Sequence, residues 1–168
     1  DIKEYFINGN LKFEGEYLEG NKIGKGKEYY LNNKLKFEGE YLKGKIDGKE
    51  YNNQGNEEYI IKEGNGKVKI YYYSGELFYE GEYLNGERHG KAKEYYYDGI
   101  LKFEGEYLNE KKMKAKEYYS DDKIEFEGTY KDGLRWNGYV YDRNGKIEDE
   151  YINWRSKNHS SSGLCNML

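Results

Sequence analysis

Paired carboxylates are the first candidates for chemistry in this chain. It carries 32 Asp and Glu residues, and pairs such as Glu14 and Glu16 sit one residue apart, close enough for one to act as general acid and the other as general base in a hydrolase. Their recurrence argues against that role. An active site is a singular place, and these acids return in every segment, as the solvated charges of a ladder would. His89, in a turn-like stretch, and His159 have no Cys, Ser or second His at the spacing of a metal site or a nucleophile–base pair. Gly24-x-Gly26 opens a strand pattern, and no Gly-x-x-x-x-Gly-Lys-Ser/Thr is present, so the glycines are not read as a phosphate cradle. Asp121-Asp122 reads as a turn. The sequence therefore predicts no catalytic residue, no cofactor site, no metal site and no small-molecule substrate.

Cys165 is the single cysteine. Cys165-Asn166-Met167-Leu168 fits a Cys-a-a-X ending, for which the final Leu implies geranylgeranyl. Asn166 is a poor aliphatic residue, and no basic stretch precedes it beyond Arg155 and Lys157. The competing reading is a disordered tail with an accidental Cys. One lipid would anchor only weakly.

The elements that must carry these residues follow from composition and period. Charged and hydrophobic residues each make up 36% of the 168 residues, a balance that by itself points to disorder. The 22 Tyr and 6 Phe reverse that expectation, because they supply apolar area and favour strands. The 22 Gly supply turns, and the absence of Pro leaves every strand free to pair. The formal charge of −4, with the signs interleaved, does not suggest a nucleic-acid binder. The lone Cys fits a reducing compartment. No apolar stretch reaches the ~18 residues of a membrane-spanning helix.

The dominant signal is repetition. Phe-Glu-Gly-Glu-Tyr-Leu occupies Phe13 to Leu18, Phe37 to Leu42 and Phe103 to Leu108, with a close copy at Tyr79 to Leu84. The marker glycines Gly15, Gly39, Gly81, Gly105 and Gly128 recur every 23 or 24 residues, apart from one 42-residue gap that Glu57 divides into 18 and 24. The 18-residue unit has lost six residues after Gly48, an even number that keeps each side chain on its face. Asp149 marks a last, degenerate unit. In Leu11-Lys12-Phe13-Glu14-Gly15-Glu16-Tyr17 the alternation puts Leu, Phe, Gly and Tyr on one face and Lys, Glu and Glu on the other. Asn8-Gly9, Asn85-Gly86 and Asp98-Gly99 are hairpin-turn signals. The expected fold is all-β, an elongated single-layer antiparallel meander of stacked β-hairpins in about seven units; at about 4.8 Å per strand, fourteen strands would span roughly 65 Å. The array is expected over residues 1–152 and a flexible tail over 153–168.

At these residues the sequence resembles the MORN repeat family, whose pattern is Tyr/Phe-x-Gly-x-Tyr/Trp, a Gly turn, then Gly-x-Gly-x-x-x-Tyr. Here it reads Tyr79-Glu80-Gly81-Glu82-Tyr83-Leu84-Asn85-Gly86, then Gly90-Lys91-Ala92-Lys93-Glu94-Tyr95. The wording is also similar to the YwqK-type antitoxin-like variant of bacteria, protists and giant viruses. Tyr where many members have Trp, Glu57 and Asp149 at the marker, and Lys111–Ala115 in place of a Gly-rich turn depart from the pattern. The resemblance implies a stacked-hairpin sheet used for scaffolding and protein–protein contact, for dimerisation in some members, for membrane or phosphoinositide association in others, or as a regulatory array attached to an enzyme.

The expected function is thus a non-enzymatic scaffold that binds a protein, or a second copy of itself, through a Tyr-rich face of Tyr17, Tyr41, Tyr83, Tyr107 and Tyr130. Trp136, next to Arg135, either closes the open end of the sheet or anchors a partner. The alternatives are a membrane-associated lipid-binding or prenylated adaptor module and a regulatory segment of a larger enzyme. The expected location is cytoplasmic, or the cytoplasmic face of a membrane.

Overall fold

The structure, a computed structural model, describes residues 2–42 and 45–158. His159, Cys165 and the rest of the expected tail lie outside the described residues. All regular structure is strand: β1 (Ile2–Tyr5), β2 (Leu11–Leu18), β3 (Asn21–Tyr29), β4 (Leu35–Leu42), β5 (Lys45–Tyr51), β6 (Glu57–Ile61), β7 (Gly66–Tyr71), β8 (Leu77–Leu84), β9 (Glu87–Tyr95), β10 (Leu101–Leu108), β11 (Lys111–Tyr118), β12 (Ile124–Lys131), β13 (Leu134–Tyr141), β14 (Ile147–Ile152) and β15 (Arg155–Ser156). Apart from β6 and β7, each strand pairs antiparallel with its sequence neighbours, as the meander requires. The turns follow their sequence signals. In Tyr96–Ile100 the Gly99 N–H donates to the Tyr96 carbonyl at 2.9 Å with Gly99 at φ +84°, and Asn33 and Asp122 take the same place at φ +64° and +62°.

Two features depart from the expected single ribbon. The first is a break. β1–β6 form one sheet and β7–β15 another, joined through the isolated Lys62↔Asn65 bridge. The break falls at the β6–β7 hairpin, and the register there moves the expected marker: Ile61, not Glu57, faces Gly48 as Gly39 faces Gly26, just as Tyr151, not Asp149, faces Gly138 further on. β6 and β7 run only five and six residues, so their tip stops short and the neighbouring turns meet across it. Gly64 N–H donates to the Ile46 carbonyl, Gly86 N–H to the Gly64 carbonyl, and Lys45 Nζ reaches Asn85 Oδ1 at 3.2 Å. At the opposite edge the Leu31 N–H donates to the Tyr73 carbonyl, and the Phe6 and Tyr73 rings meet edge-on at 5.2 Å. The faces are kept: Ile61 and Val68 are buried. The array also runs past residue 152, because β15 pairs with β14.

The second departure is a bulge in each junction between units, between Glu4 and Tyr5, Glu28 and Tyr29, and at equivalent places along the chain. A bulge adds a residue to one strand and increases local twist. It also changes the face assignment at the start of each motif. Leu11 pairs with Tyr5 and Leu35 with Tyr29, whereas Lys12 and Lys36 turn toward the aromatic face, against Glu4, Glu28 and the Tyr73 ring. Simple alternation had placed Leu11 with Phe13 and Lys12 with the ladder.

The core lies on one face of the sheet. Phe13, Tyr79, Phe103 and Phe126 have 0% exposure. Each ring lies flat over the marker glycines: a Cβ on Gly105 would stand 2.9 Å from Phe103 and 2.1 Å from the Lys114 carbonyl. Glycine is there because ring and neighbouring backbone leave no room for a side chain.

Candidate functional site

The aromatic face is built from one cluster repeated along the array. In β2–β3, Phe13 lies under the Lys22 ammonium, with Nζ 4.2 Å from the ring centre, and Lys22 pairs with Glu28 at 2.5 Å. The Tyr41 hydroxyl of the next unit donates to Glu28 at 2.9 Å. The pattern returns as Arg88, Glu94 and Tyr107, with Arg88 3.0 Å from Glu94 and the Tyr107 hydroxyl 2.5 Å from the same carboxylate. It returns again as Lys112, Glu117 and Arg135, where Lys112 caps Phe103 at 4.3 Å and Arg135 caps Phe126 at 4.5 Å. Cation–π contact and ion pairing act on the same cation, and the carboxylate is compensated where it is buried. Burial pushes the hydroxyls of Tyr41, Tyr107 and Tyr130 well above the ordinary tyrosine value, so they remain donors. The hydrogen bond to Glu4 raises Tyr17 to about 12.

The sequence-predicted residues fall on this face. Tyr17, Tyr41, Tyr83, Tyr107 and Tyr130 form one row of half-buried or buried rings, packed edge-on against Phe13, Phe37, Tyr79 and Phe126 and, for Tyr107, tilted against Phe103. Trp136 lies in β13 with Lys131 Nζ 4.5 Å from its ring, and β14 and β15 continue beyond it. Trp136 therefore does not close the open end, where the β15 pairing stands instead. His89 lies within β9, not in a turn, with Nδ1 buried and unpartnered. Sequence reasoning missed the cations. Lys22, Arg88, Lys112 and Arg135 each stand seven residues after a marker glycine, and that constant offset was the available signal.

The β4–β5 unit keeps the acid of the cluster and loses its cation. Seven residues after Gly39 stands Ile46. Glu50, which occupies the acid position there, has Oε2 buried without a partner, and burial raises its carboxyl to about 7.

The opposite face carries the charge ladder. One row runs Lys69, Glu80, Lys93, Glu104, Lys116 and Glu127, each directly paired with the next. Beside it Lys91 pairs with Glu106 and Glu106 with Lys114. Between the rows the backbone of Gly81, Ala92, Gly105 and Ala115 forms the floor of a groove of about 770 Å³. The terminal tyrosines of the odd strands close one side: Tyr95 donates to Glu80 at 2.8 Å and Tyr118 to Glu104 at 2.7 Å. At the other side Leu84 and Leu108 are 42% and 47% exposed. A shorter groove of about 590 Å³ repeats the arrangement in the first sheet.

The sequence profile described as MORN repeat matches residues 79–100, the β8–β9 hairpin. The profile described as MORN repeat variant matches residues 22–43, 64–85 and 111–132. The chain belongs to the MORN repeat family. No curated protein matches it. MORN repeats are generally modules of protein or membrane-lipid interaction, and the all-β open array of hairpins seen here is the architecture such repeats build. In this MORN array the variant profile spans the junctions β3–β4, β7–β8 and β11–β12, the places where a bulge turns the chain from one unit to the next.

Proposed function

We propose that this MORN array is a non-enzymatic scaffold that binds a protein partner, and that the ladder face is its working surface. The observation that carries this reading is the row of exposed leucines, Leu18, Leu42, Leu84 and Leu108, at the rim of that face. Each lies two residues beyond a ladder Glu, on the same side of its strand, so apolar contacts recur once per unit beside alternating charges. The aromatic face takes another part. Its cations and Tyr–Glu hydrogen bonds already cover the rings, so Tyr17, Tyr41, Tyr83, Tyr107 and Tyr130 shape and hold the array. The recurrence of each acidic cluster supports a surface over a single reaction centre.

The test is photo-crosslinking in an extract of the source cells. A photoreactive residue at Leu84 or Leu108 should give a discrete protein adduct that the same residue at the turn tip Gly99 does not give. Adducts with lipid alone would replace the proposal with the membrane reading, and identical adducts from all three positions would refute a localised working face.

A further inference from the structure

The β6–β7 break has the parts of a hinge. Among the described residues, the isolated Lys62↔Asn65 bridge is the strand pairing between β6 and β7, where other consecutive strands share a ladder. The pivot is the hairpin tip beside that bridge, where the Gly64 N–H donates to the Ile46 carbonyl at 3.0 Å and the Asn85 N–H to Asn65 Oδ1 at 2.7 Å. The opposite edge is a latch. Tyr73, in the turn after β7, reaches across the break onto the first sheet. Its ring lies 5.2 Å from Phe6, with Lys36 Nζ 4.5 Å and Lys12 Nζ 5.5 Å from its centre, and its carbonyl accepts from the Leu31 N–H at 2.9 Å. The Tyr71 hydroxyl donates to Glu58 across the same gap.

Glu50 lies close to this latch. Glu28, the acid one unit earlier, has Lys22 at 2.5 Å and Lys36 at 3.9 Å. In the matching places around Glu50 stand Ile46 and Glu58, and Oε2 is buried without a partner. The charged and titratable groups that act on Glu50 are Glu28 in β3, Tyr30 just after it, Lys36 in β4, Glu58 in β6 and Tyr83 in β8. Lys36 is the attractive group among them, and it is the same ammonium that lies against Tyr73 and Glu28. An ionised carboxylate buried without a partner is costly. It is satisfied by drawing Lys36 away from Tyr73 or by admitting water at the break, and either change loosens the latch.

We infer that the two sheets are hinged at the β6–β7 tip and latched by Tyr73, and that ionisation of Glu50 releases the latch. The two ladder grooves lie on either side of the break, so the hinge sets the angle between them. Protonated Glu50 leaves Lys36 to Tyr73 and Glu28, and the sheets stay closed. Burial raises its carboxyl from 4.5 to about 7 in the closed form, and water at an open break returns it toward the ordinary value. Closure from this group is therefore fully present below pH 4.5 and is lost as pH rises through about 7. At tenfold per pH unit, the open-to-closed ratio rises by at most about 300-fold across that window.

The experiment measures the distance between the sheets by pulsed electron spin resonance on the whole chain. The native cysteine is replaced (Cys165→Ser), and spin labels are placed at Lys27→Cys in β3 and Lys93→Cys in β9, both exposed on the ladder face. One distance population is expected at about pH 5, and a second should appear at about pH 8. Glu50→Gln should keep the single closed population at both values. Tyr73→Ala should show the second population already at pH 5. A pair within the second sheet, Lys93→Cys with Tyr139→Cys, should not respond to pH, and circular dichroism should stay unchanged. An inter-sheet distance that is constant from pH 5 to pH 8, the same pH response in Glu50→Gln, or a folded Tyr73→Ala chain that matches its parent at pH 5 would overturn the inference. A response of the control pair would overturn it too, because the whole array would then be loosening. Should Tyr73→Ala fail to fold, the pH response and its loss in Glu50→Gln decide.

Discussion

Replacing Glu50 by Gln should stabilise the array at pH 8 and leave it unchanged near pH 4. Glu50 occupies the acid position of the cluster in β4–β5, where Ile46 stands in place of the cation, and its Oε2 is buried without a hydrogen bond. Burial is the main cause of its raised carboxyl pKa, Lys36 opposes the rise, and Glu28 and Glu58 add to it. The pKa goes from the ordinary 4.5 to about 7. The folded state thus holds the proton more tightly than the unfolded chain does. Stability from this group is present below pH 4.5 and is lost as pH rises through about 7. At 1.36 kcal/mol per pH unit the loss is about 3 kcal/mol by pH 8. Glu50→Gln removes the titration and keeps the shape. Urea unfolding at intervals from pH 4 to pH 8 should show the wild-type midpoint falling relative to the variant between about pH 4.5 and 7 and running parallel to it above. Curves parallel throughout would refute the reasoning, since they would mean that Glu50 reaches water or a cation in solution.

Three further outcomes follow from the same clusters. Ile46→Lys places a cation where the other units have Lys22, Arg88, Lys112 and Arg135; the pH dependence assigned to Glu50 should shrink, read from the same urea series. Phe103→Ala removes a ring of 0% exposure from the centre of the second sheet and should cost about 3–5 kcal/mol, measured by chemical denaturation. Gly39→Ala would set a Cβ 2.2 Å from the Asp47 carbonyl and 2.7 Å from the Gly48 Cα. The strands must separate there, so a loss of about 1–3 kcal/mol is expected, visible as a lower thermal midpoint.

Much of the fold could be read from the marker glycines. Gly15, Gly39, Gly81, Gly105 and Gly128 set the strand count per unit, the turn positions and the row of buried rings, because each is required where a ring and a neighbouring backbone meet. The break between the sheets was less legible. The six-residue deletion is plain in the sequence, but alternation reports only faces; that a short hairpin lets the turns around Ile46 and Asn85 meet across its tip is a matter of length in three dimensions. The bulges at Lys12 and Lys36 were invisible for a related reason, since a period of two carries no mark of an added residue. At the candidate site, the Tyr row was evident and its exposure was not. Lys22 and Arg135 look like ladder charges until the fold brings each over a ring and beside a buried carboxylate.

The central claim is that the array has one face sealed by its own cations and one open. Acetylation of the intact chain with a limiting amine-reactive reagent, read lysine by lysine by mass spectrometry, tests this most directly. Lys91, Lys93 and Lys114 on the open ladder face should react first, and Lys22 and Lys112, held between a ring and a carboxylate, should react severalfold more slowly until the chain is unfolded. Equal rates for the two groups in the native chain would contradict the sealed face, and with it the assignment of the ladder face as the working surface.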